Sequence, residues 1–351
     1  MRILFDIVHP ADVLFFLNPI RRLREQGSTI KIVSRHKDVA CALLDQFGLQ
    51  HQPISTASSG YLGLGGELLR RDWAMLRAAR SFRPDVMVGF GGVSISHVGK
   101  LVGRPSVSFY AADTANLQTR LTWPFISHLY VPEAYAGAVP EDRTTRFPGI
   151  KELSYFHPEN FRVDDRIAAR NGWNGAEDNF LIRTVGWGAN HDIGKSGWSD
   201  ATLLALVNKL AARGTVHISS ERALPPGLEA FAYRGNNSEL HHLLGKCRAY
   251  IGESATMAHE ACLLGVPSIY DGADHPGTTR ELASHGLLVA LRQPGCEALL
   301  REVDRMLDGD AADNLLLRRD RYLTQRPNLS AFIVEAIKSH ALPPPRALSP
   351  V

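Results

Sequence analysis

Cysteine is scarce in this chain. Cys41, Cys247, Cys262 and Cys296 stand far apart with no C-x-x-C pair, so neither a zinc site nor a disulfide framework is indicated. Long apolar runs are lacking as well, and none approaches the ~20 residues that a helix needs to cross a bilayer. The opening Met1-Arg2 leads into a short apolar run interrupted by Asp6, which is no signal-peptide core. A cytoplasmic setting is the expectation. An excess of one charge is missing too. The 39 Lys plus Arg nearly balance the 36 Asp plus Glu, and a net charge of +3 gives no ground for a nucleic-acid partner.

What is present is an ordinary globular composition, 44% hydrophobic and 21% charged, which excludes a disordered chain or a collagen-like fibre. At roughly 150 residues per domain, the length suggests two domains. Short β-branched runs alternate with helical patterns. Residues 3–8 read as a strand, 13–24 as a helix, 30–33 as a strand and 38–47 as a helix, with further strands at 86–88, 106–109 and 129–131. Residues 140–178, rich in Pro, Gly, Asn and charge, break that rhythm and read as a linker with a short helix near 164–170. The rhythm restarts with strands at 180–185, 216–219, 249–251 and 268–270 and helices at 200–212, 239–246, 255–264, 299–307 and 329–339. The resulting expectation is α/β: two doubly wound, Rossmann-like domains facing across a cleft. The domains are placed at 1–150 and 179–325, with a linker at 151–178 and a C-terminal helix and tail at 326–351. Ligands of such folds sit at the carboxyl ends of the strands, so chemistry is sought in the strand-to-helix loops.

The most informative stretch runs from Tyr250 to Ile269 and reads strand, tight turn, helix, glycine stop, proline, strand. Its turn places Ser254 and the amides of Ala255 and Thr256 at a helix N-terminus, where free N–H groups and the dipole suit a diphosphate. Glu260 follows four residues after Thr256 on the same helix face, where a carboxylate can accept both hydroxyls of a ribose. The plain alternative is a serine cap and a solvated acid.

This stretch resembles the nucleotide-sugar signature of GT-B glycosyltransferases and of UDP-N-acetylglucosamine 2-epimerase. Over nearly the whole chain the sequence is similar to an uncharacterised family of GT-B-like bacterial and archaeal proteins. The matching pieces are D-I-x-H-P-A-D-V-L-F-F at 6–16, R-P-D-V at 83–86, A-D-T-A at 112–115, N-H-D at 190–192 and S-S-E at 219–221. Two positions depart from the family pattern: Asp12 stands where His is commoner, and Ala115 where an acid often follows Asp-Thr. The resemblance implies a GT-B-like fold, a nucleotide-sugar donor on the C-terminal domain and an acceptor on the N-terminal one. It also implies phosphates at Ser254, Ala255 and Thr256, ribose at Glu260, a uridine diphosphate sugar as donor, and transfer without a metal. A glycan or lipid-linked acceptor, and a place in surface polysaccharide or glycolipid synthesis, follow from it as well.

The remaining loops supply further candidates. After the first strand, His9 and Asp12 offer a general base for an acceptor hydroxyl in an inverting transfer, with His9 the first choice. If they have no such role, Asp12 caps the next helix and His9 bonds the backbone. Asn190 and His191 can reach the diphosphate, and Ser220 and Glu221 border the nucleotide. Asp274, His275 and Glu281 lie where related proteins contact the sugar. Gly91, Gly92 and Asp113 are assigned to the acceptor, the glycines in a flexible loop. Arg183, inside a strand, is read as a structural ion pair. No G-x-G-x-x-G follows the first strand, so no nicotinamide cofactor is expected, and Asp308-Gly309-Asp310 stands at a helix end, where no metal role is expected. No cofactor beyond the nucleotide-sugar substrate is implied. Between Tyr61 and Arg83, leucines and Trp73 interleave with arginines, a pattern fit for peripheral contact with an anionic membrane. Three other readings remain: a 2-epimerase-like enzyme, a non-catalytic nucleotide-sugar-binding protein, and a serine hydrolase using Ser254. The last lacks the final glycine of a nucleophile elbow, where Thr256 stands.

Overall fold

Alternating β-branched strands and amphipathic helices build two units, each described by itself in a computed structural model that covers residues 1–36, 38–56, 61–113, 116–186, 197–308 and 311–342. Unit 1 comprises Met1–Asn160 together with Pro327–Val351, and unit 2 comprises Phe161–Arg326.

Unit 1 runs β1 (Arg2–Ile7), α1 (Pro10–Glu25), β2 (Thr29–His36), α2 (Asp38–Gln46), β3 (Gln52–Thr56), α3 (Tyr61–Phe82), β4 (Val86–Phe90), α4 (Val93–Val102), β5 (Ser106–Phe109), α5 (Asn116–Thr122), β6 (His128–Pro132), β7 (Thr144–Phe147) and α6 (Leu153–Phe156). Its sheet has the order β3-β2-β1-β4-β5-β6-β7, and the pairings are parallel. β1 and β4 read as nearly unbroken apolar runs because helices cover both faces. One layer of the core is Leu4, Val33, Met75, Met87, Ile95 and Val98. Phe5, Phe15, Phe16 and Phe109 fill another with edge-to-face and tilted ring contacts.

Unit 2 runs α7 (Asp165–Arg170), β8 (Asp178–Thr184), α8 (Asp200–Ala211), β9 (Gly214–Ser220), α9 (Leu240–Leu244), β10 (Ala249–Gly252), α10 (Ala255–Leu263), β11 (Ser268–Asp271), α11 (Gly277–Ser284), β12 (Val289–Leu291), α12 (Cys296–Asp308) and α13 (Ala311–Thr324). Its sheet order is β12-β11-β10-β8-β9, again parallel. Phe180, Ile182, Ile251 and Ile269 from the strands meet Leu203, Leu206 and Leu210 of α8 in its core. The chain then returns to unit 1 as α14 (Leu329–His340), which packs on α1, α6 and β4.

The strand order reverses between β1 and β4 in unit 1 and between β8 and β10 in unit 2. Crevices open at such reversals, above the carboxyl ends of the strands.

The structure corrects several expectations. Residues 151–178 hold the short helix expected near 164–170, as α7 in unit 2, but also α6 in unit 1, and the 140–178 stretch contains β7 as well. The helix and tail at 326–351 form no separate piece, because α14 belongs to unit 1. The flexible loop expected around Gly91 and Gly92 is only those two residues, between β4 and α4. Strands β3 and β7 escaped the sequence reading because they are the sheet's edges, where Pro53 and alternating polar residues are tolerated.

Candidate functional site

In unit 2 the reversal brings together the ends of β8 and β10. Tyr250, Ile251 and Gly252 pair with β8 and β11, and the chain then turns through Glu253-Ser254 into α10. Ser254 is the N-cap of α10, and its Oγ accepts from Met257 N at 3.4 Å. That bond occupies the hydroxyl as a cap and gives no sign of an activated nucleophile. Ala255 and Thr256 form the first turn of the same helix. Glu260 is only 3% exposed, and His241 Nε2 of α9 donates to its Oε2 at 3.1 Å. The solvated-acid alternative is therefore wrong for Glu260. It is a buried, partnered carboxylate on the helix that opens at the reversal.

The turn itself is fixed by a residue the sequence reading passed over. Glu253 is buried, and its carboxylate accepts from Trp198 N at 2.7 Å and Val185 N at 3.2 Å. Trp198 Nε1 donates in turn to Asp271 Oδ2 at 2.8 Å, and Gln293 N to Asp271 Oδ1 at 2.7 Å. These bonds tie the ends of β8, β10 and β11 to one another. The only available signal was that Glu253 precedes the capping serine. A cavity of about 200 Å³ lies beside this network, lined by Trp198, Ser199, Thr202, Asp271, Gln293 and Cys296 among others.

Glu221 pairs with Arg183 and accepts from Gly186 N at 3.3 Å, so Arg183 forms the ion pair expected of it. Ser220 Oγ accepts from Thr184 Oγ1 at 2.7 Å and donates to Arg222 O at 2.6 Å. Both residues are thus committed to the β8–β9 edge. Asp274 O accepts from Tyr270 Oη at 2.7 Å, and His275 Nε2 donates to Leu291 O at 3.0 Å. Glu281 is bound by Tyr322 Oη at 3.1 Å and Arg326 at 3.0 Å, a bracket that holds α11 to α13. Asn190, His191, Ala115, Gly309 and Asp310 lie outside the described residues.

In unit 1 the loop after β1 is a capping box. His9 is the N-cap of α1, its Nδ1 accepting from Ala11 N at 3.2 Å. Asp12 Oδ2 reaches back to accept from His9 N at 2.9 Å and Val8 N at 3.0 Å. Both residues therefore serve the helix start, with His9 and not Asp12 as the N-cap, and this carries a chemical consequence. With Nδ1 accepting, a neutral His9 holds its proton on Nε2 and presents a donor. Burial pushes the Asp12 carboxyl up to about 7, although the two amides favour its ionised form. Below it, Asp6 at the end of β1 is buried against Arg71 of α3, whose guanidinium also donates to Ser55 Oγ at 2.6 Å.

The loop after β4 is built differently. Gly91 and Gly92 both take positive φ, 77° and 53°, and Gly92 gives α4 no side-chain cap. Ser94, in the first turn, is 1% exposed, and its Oγ has no hydrogen-bond partner among the described residues. An uncapped helix start beside an unpartnered buried hydroxyl leaves N–H and O–H donors of the kind an anionic oxygen accepts from. The sequence reading assigned the two glycines to the acceptor and gave Ser94 no role of its own. Asp113 follows β5, and its charge acts on the phenols of Tyr110 and Tyr135.

No protein-family profile matches the chain. Among curated proteins, 113 residues are 33% identical to the UDP-N-acetylglucosamine–N-acetylmuramyl-(pentapeptide) pyrophosphoryl-undecaprenol N-acetylglucosamine transferase of Burkholderia cenocepacia strain HI2424, covering 31% of this chain and 30% of that protein. The chain thus spans under a third of the curated relatives it matches. Solved structures match over nearly the full length. UDP-GlcNAc 2-epimerase from Neisseria meningitidis bound to UDP-GlcNAc superimposes with a TM-score of 0.67 at 13% identity, over 97% of this chain and 100% of that one. Spinosyn rhamnosyltransferase complexed with thymidine diphosphate gives 0.66 at 17%, over 96% and 100%. The fold is GT-B-like. In a GT-B-like chain the two sheets described above are its two Rossmann-like domains, and the loops after β1, β4, β8 and β10 are where this architecture leaves room for ligands.

Proposed function

We propose that the protein is a glycosyltransferase that moves a sugar from a nucleoside diphosphate donor, a UDP-sugar, to a hydroxyl of a glycan or lipid-linked acceptor, with inversion and without a metal. The observation that carries this reading is α10, which opens at the unit 2 reversal and holds the buried Glu260 on its second turn. Ser254 and the Ala255 and Thr256 amides take the diphosphate, and Glu260 the ribose. Both neighbours above support a nucleoside diphosphate ligand by the molecules bound to them, UDP-GlcNAc in one and thymidine diphosphate in the other. The N-acetylglucosamine transferase supports a lipid-linked acceptor in the same way, since its name specifies a pyrophosphoryl-undecaprenol substrate.

On the acceptor side, the start of α4 with Ser94 takes an anionic group such as the phosphate of a lipid carrier. Asp12, whose proton affinity lies near neutrality, is the base, and His9 acts as a donor beside it. A membrane-borne acceptor also fits α3. Its outward face carries Leu69 and Trp73, 74% and 60% exposed, beside the exposed Arg70, Arg77 and Arg80. No helix among the described residues is long and apolar enough to cross a membrane. Contact there is peripheral, and it predicts co-sedimentation with anionic vesicles that Trp73→Ala weakens. A 2-epimerase needs several carboxylates around the sugar. Among the nominated acids Glu221 and Glu281 are held in ion pairs, which ranks that reading second.

The test is calorimetric titration with UDP, GDP, CDP, ADP and dTDP on the parent and on Glu260→Gln, with thermal unfolding of both. Micromolar binding of one diphosphate, lost in a folded Glu260→Gln, is the expected result. No binding of any diphosphate by the folded parent refutes the donor site.

A further inference from the structure

Among the described side chains, Tyr135, Tyr233, Tyr250 and Tyr270 each stand two residues before a glycine. Each folds back over it, so that a Cβ on Gly137, Gly235, Gly252 or Gly272 would strike the tyrosine hydroxyl. In three cases the protein closes that hydroxyl off. Tyr233 donates to Asn236 O at 2.9 Å, Tyr250 to Ser254 O at 3.1 Å and Tyr270 to Asp274 O at 2.7 Å. Tyr135 is the exception. Its side chain is buried, 4% exposed, and its Oη has no partner among the described residues. A buried hydroxyl in that state weakens the fold relative to a phenyl ring, so packing alone gives no reason to keep it.

Its surroundings are polar and lie at the carboxyl ends of β4, β5 and β6. The ring packs edge-on against Tyr110, centroids 6.1 Å apart, and Tyr110 Oη donates to Gln118 Oε1 at 3.3 Å. Gln118 Nε2 presses against the Gly91 turn, and Asp113 stands within electrostatic reach of both phenols. Phe90 and Trp123 pack against the same cluster. Two phenols, an amide and a carboxylate beside aromatic rings offer donors and acceptors at several angles. That mixture suits a sugar ring with adjacent hydroxyls better than an apolar or purely anionic ligand.

We propose that Tyr135 Oη, in the cluster with Tyr110, Phe90 and Trp123, is the contact that selects a pyranose hydroxyl on the acceptor. The inference rests on the transferase reading and names the acceptor class for its unit 1 side. The hydroxyl gains its missing partner when the sugar is seated, so it acts on acceptor affinity and not on the fold or the donor.

The experiment uses the full chain carrying ¹³Cζ-tyrosine, with the Tyr135 signal assigned by its loss in Tyr135→Phe. Methyl β-D-glucopyranoside, methyl N-acetyl-β-D-glucosaminide and methyl α-D-mannopyranoside are titrated in turn, and UDP separately. The expected result is a saturable shift of the Tyr135 signal with at least one pyranoside and an affinity at least fivefold weaker in Tyr135→Phe. That variant melts no lower than the parent and binds UDP unchanged. The inference is overturned if no pyranoside moves the signal, if Tyr135→Phe binds the pyranoside as tightly as the parent, or if it melts several degrees lower, which would show the hydroxyl serving the fold. UDP reports separately through Tyr250 and Tyr270: a UDP response without a pyranoside response removes this inference alone, and loss of the UDP response removes the donor reading.

Discussion

The two sheet reversals are alike in topology and opposite in how they treat their polar groups. In unit 2 the ends of β10 and β11 are closed by protein, and Arg183 Nε near the end of β8 is a buried atom left without a partner among the described residues. Glu253 is held by two amides, Asp271 by an indole and an amide, and Tyr250 and Tyr270 by loop carbonyls. In unit 1 the helix after β1 is doubly capped, yet the helix after β4 has no side-chain cap. There Ser94 and Tyr135 keep buried hydroxyls without partners among the described residues. A closed network fixes loop geometry before any ligand arrives, as suits a site that always takes the same nucleotide. Under the proposed function, the open valences are left for a ligand, as suits a site that must choose among acceptors.

Substitutions can break or sharpen this contrast. The largest effect is expected from Asp12→Asn, which keeps an oxygen for the Val8 and His9 amides but cannot ionise. The Asp12 carboxyl lies above its ordinary 3.8, at about 7. Its stabilising contribution is therefore complete below pH 3.8 and is lost as pH rises through about 7. The parent should lose on the order of 4 kcal/mol over that interval relative to Asp12→Asn, read from urea unfolding across pH. Equal pH slopes in the two proteins would contradict the buried, protonatable Asp12. If Asp12 is the base, the same variant should also remove the acidic limb of turnover, the fall in rate as pH drops below about 7.

Next comes Glu253→Ala, which strands two buried amides and should cost unit 2 about 3 kcal/mol in chemical denaturation. A cost under 1 kcal/mol would mean that the turn is held by other bonds. Smallest is Ser94→Ala. It removes a hydroxyl that bonds nothing described, so stability should stay within about 0.5 kcal/mol of the parent, while affinity for a phosphate-bearing acceptor falls. A clear loss of stability would place Ser94 with the closed groups of unit 2 and erase the contrast.

The architecture was legible wherever burial on both faces wrote continuous apolar strands, as in β1, β4, β8 and β10. It was illegible at β3 and β7, whose outer edges face no neighbouring strand and carry no such pattern. Ser254 and Glu260 were readable because strand, turn and helix adjoin in sequence. The partners that give them meaning were not: His241 reaches Glu260 from another helix, and Trp198 reaches Glu253 across 55 positions. Ser94 and Tyr135 left no mark, because a missing hydrogen bond has no sequence signature. His9 and Asp12 were found for their titration, and their spacing spelled a capping box as well.

The position of α14 has a consequence for synthesis. It packs on α1, α6 and β4, yet all of unit 2 precedes it in the chain. A ribosome therefore delivers every strand of both sheets before unit 1 receives its closing helix. Until then the apolar flank of α1 and β4 stays uncovered, while the 161–326 segment is already whole and free to fold. The unit made first is the unit finished last, and during that delay the nascent N-terminal half is the part most exposed to chaperones and to aggregation.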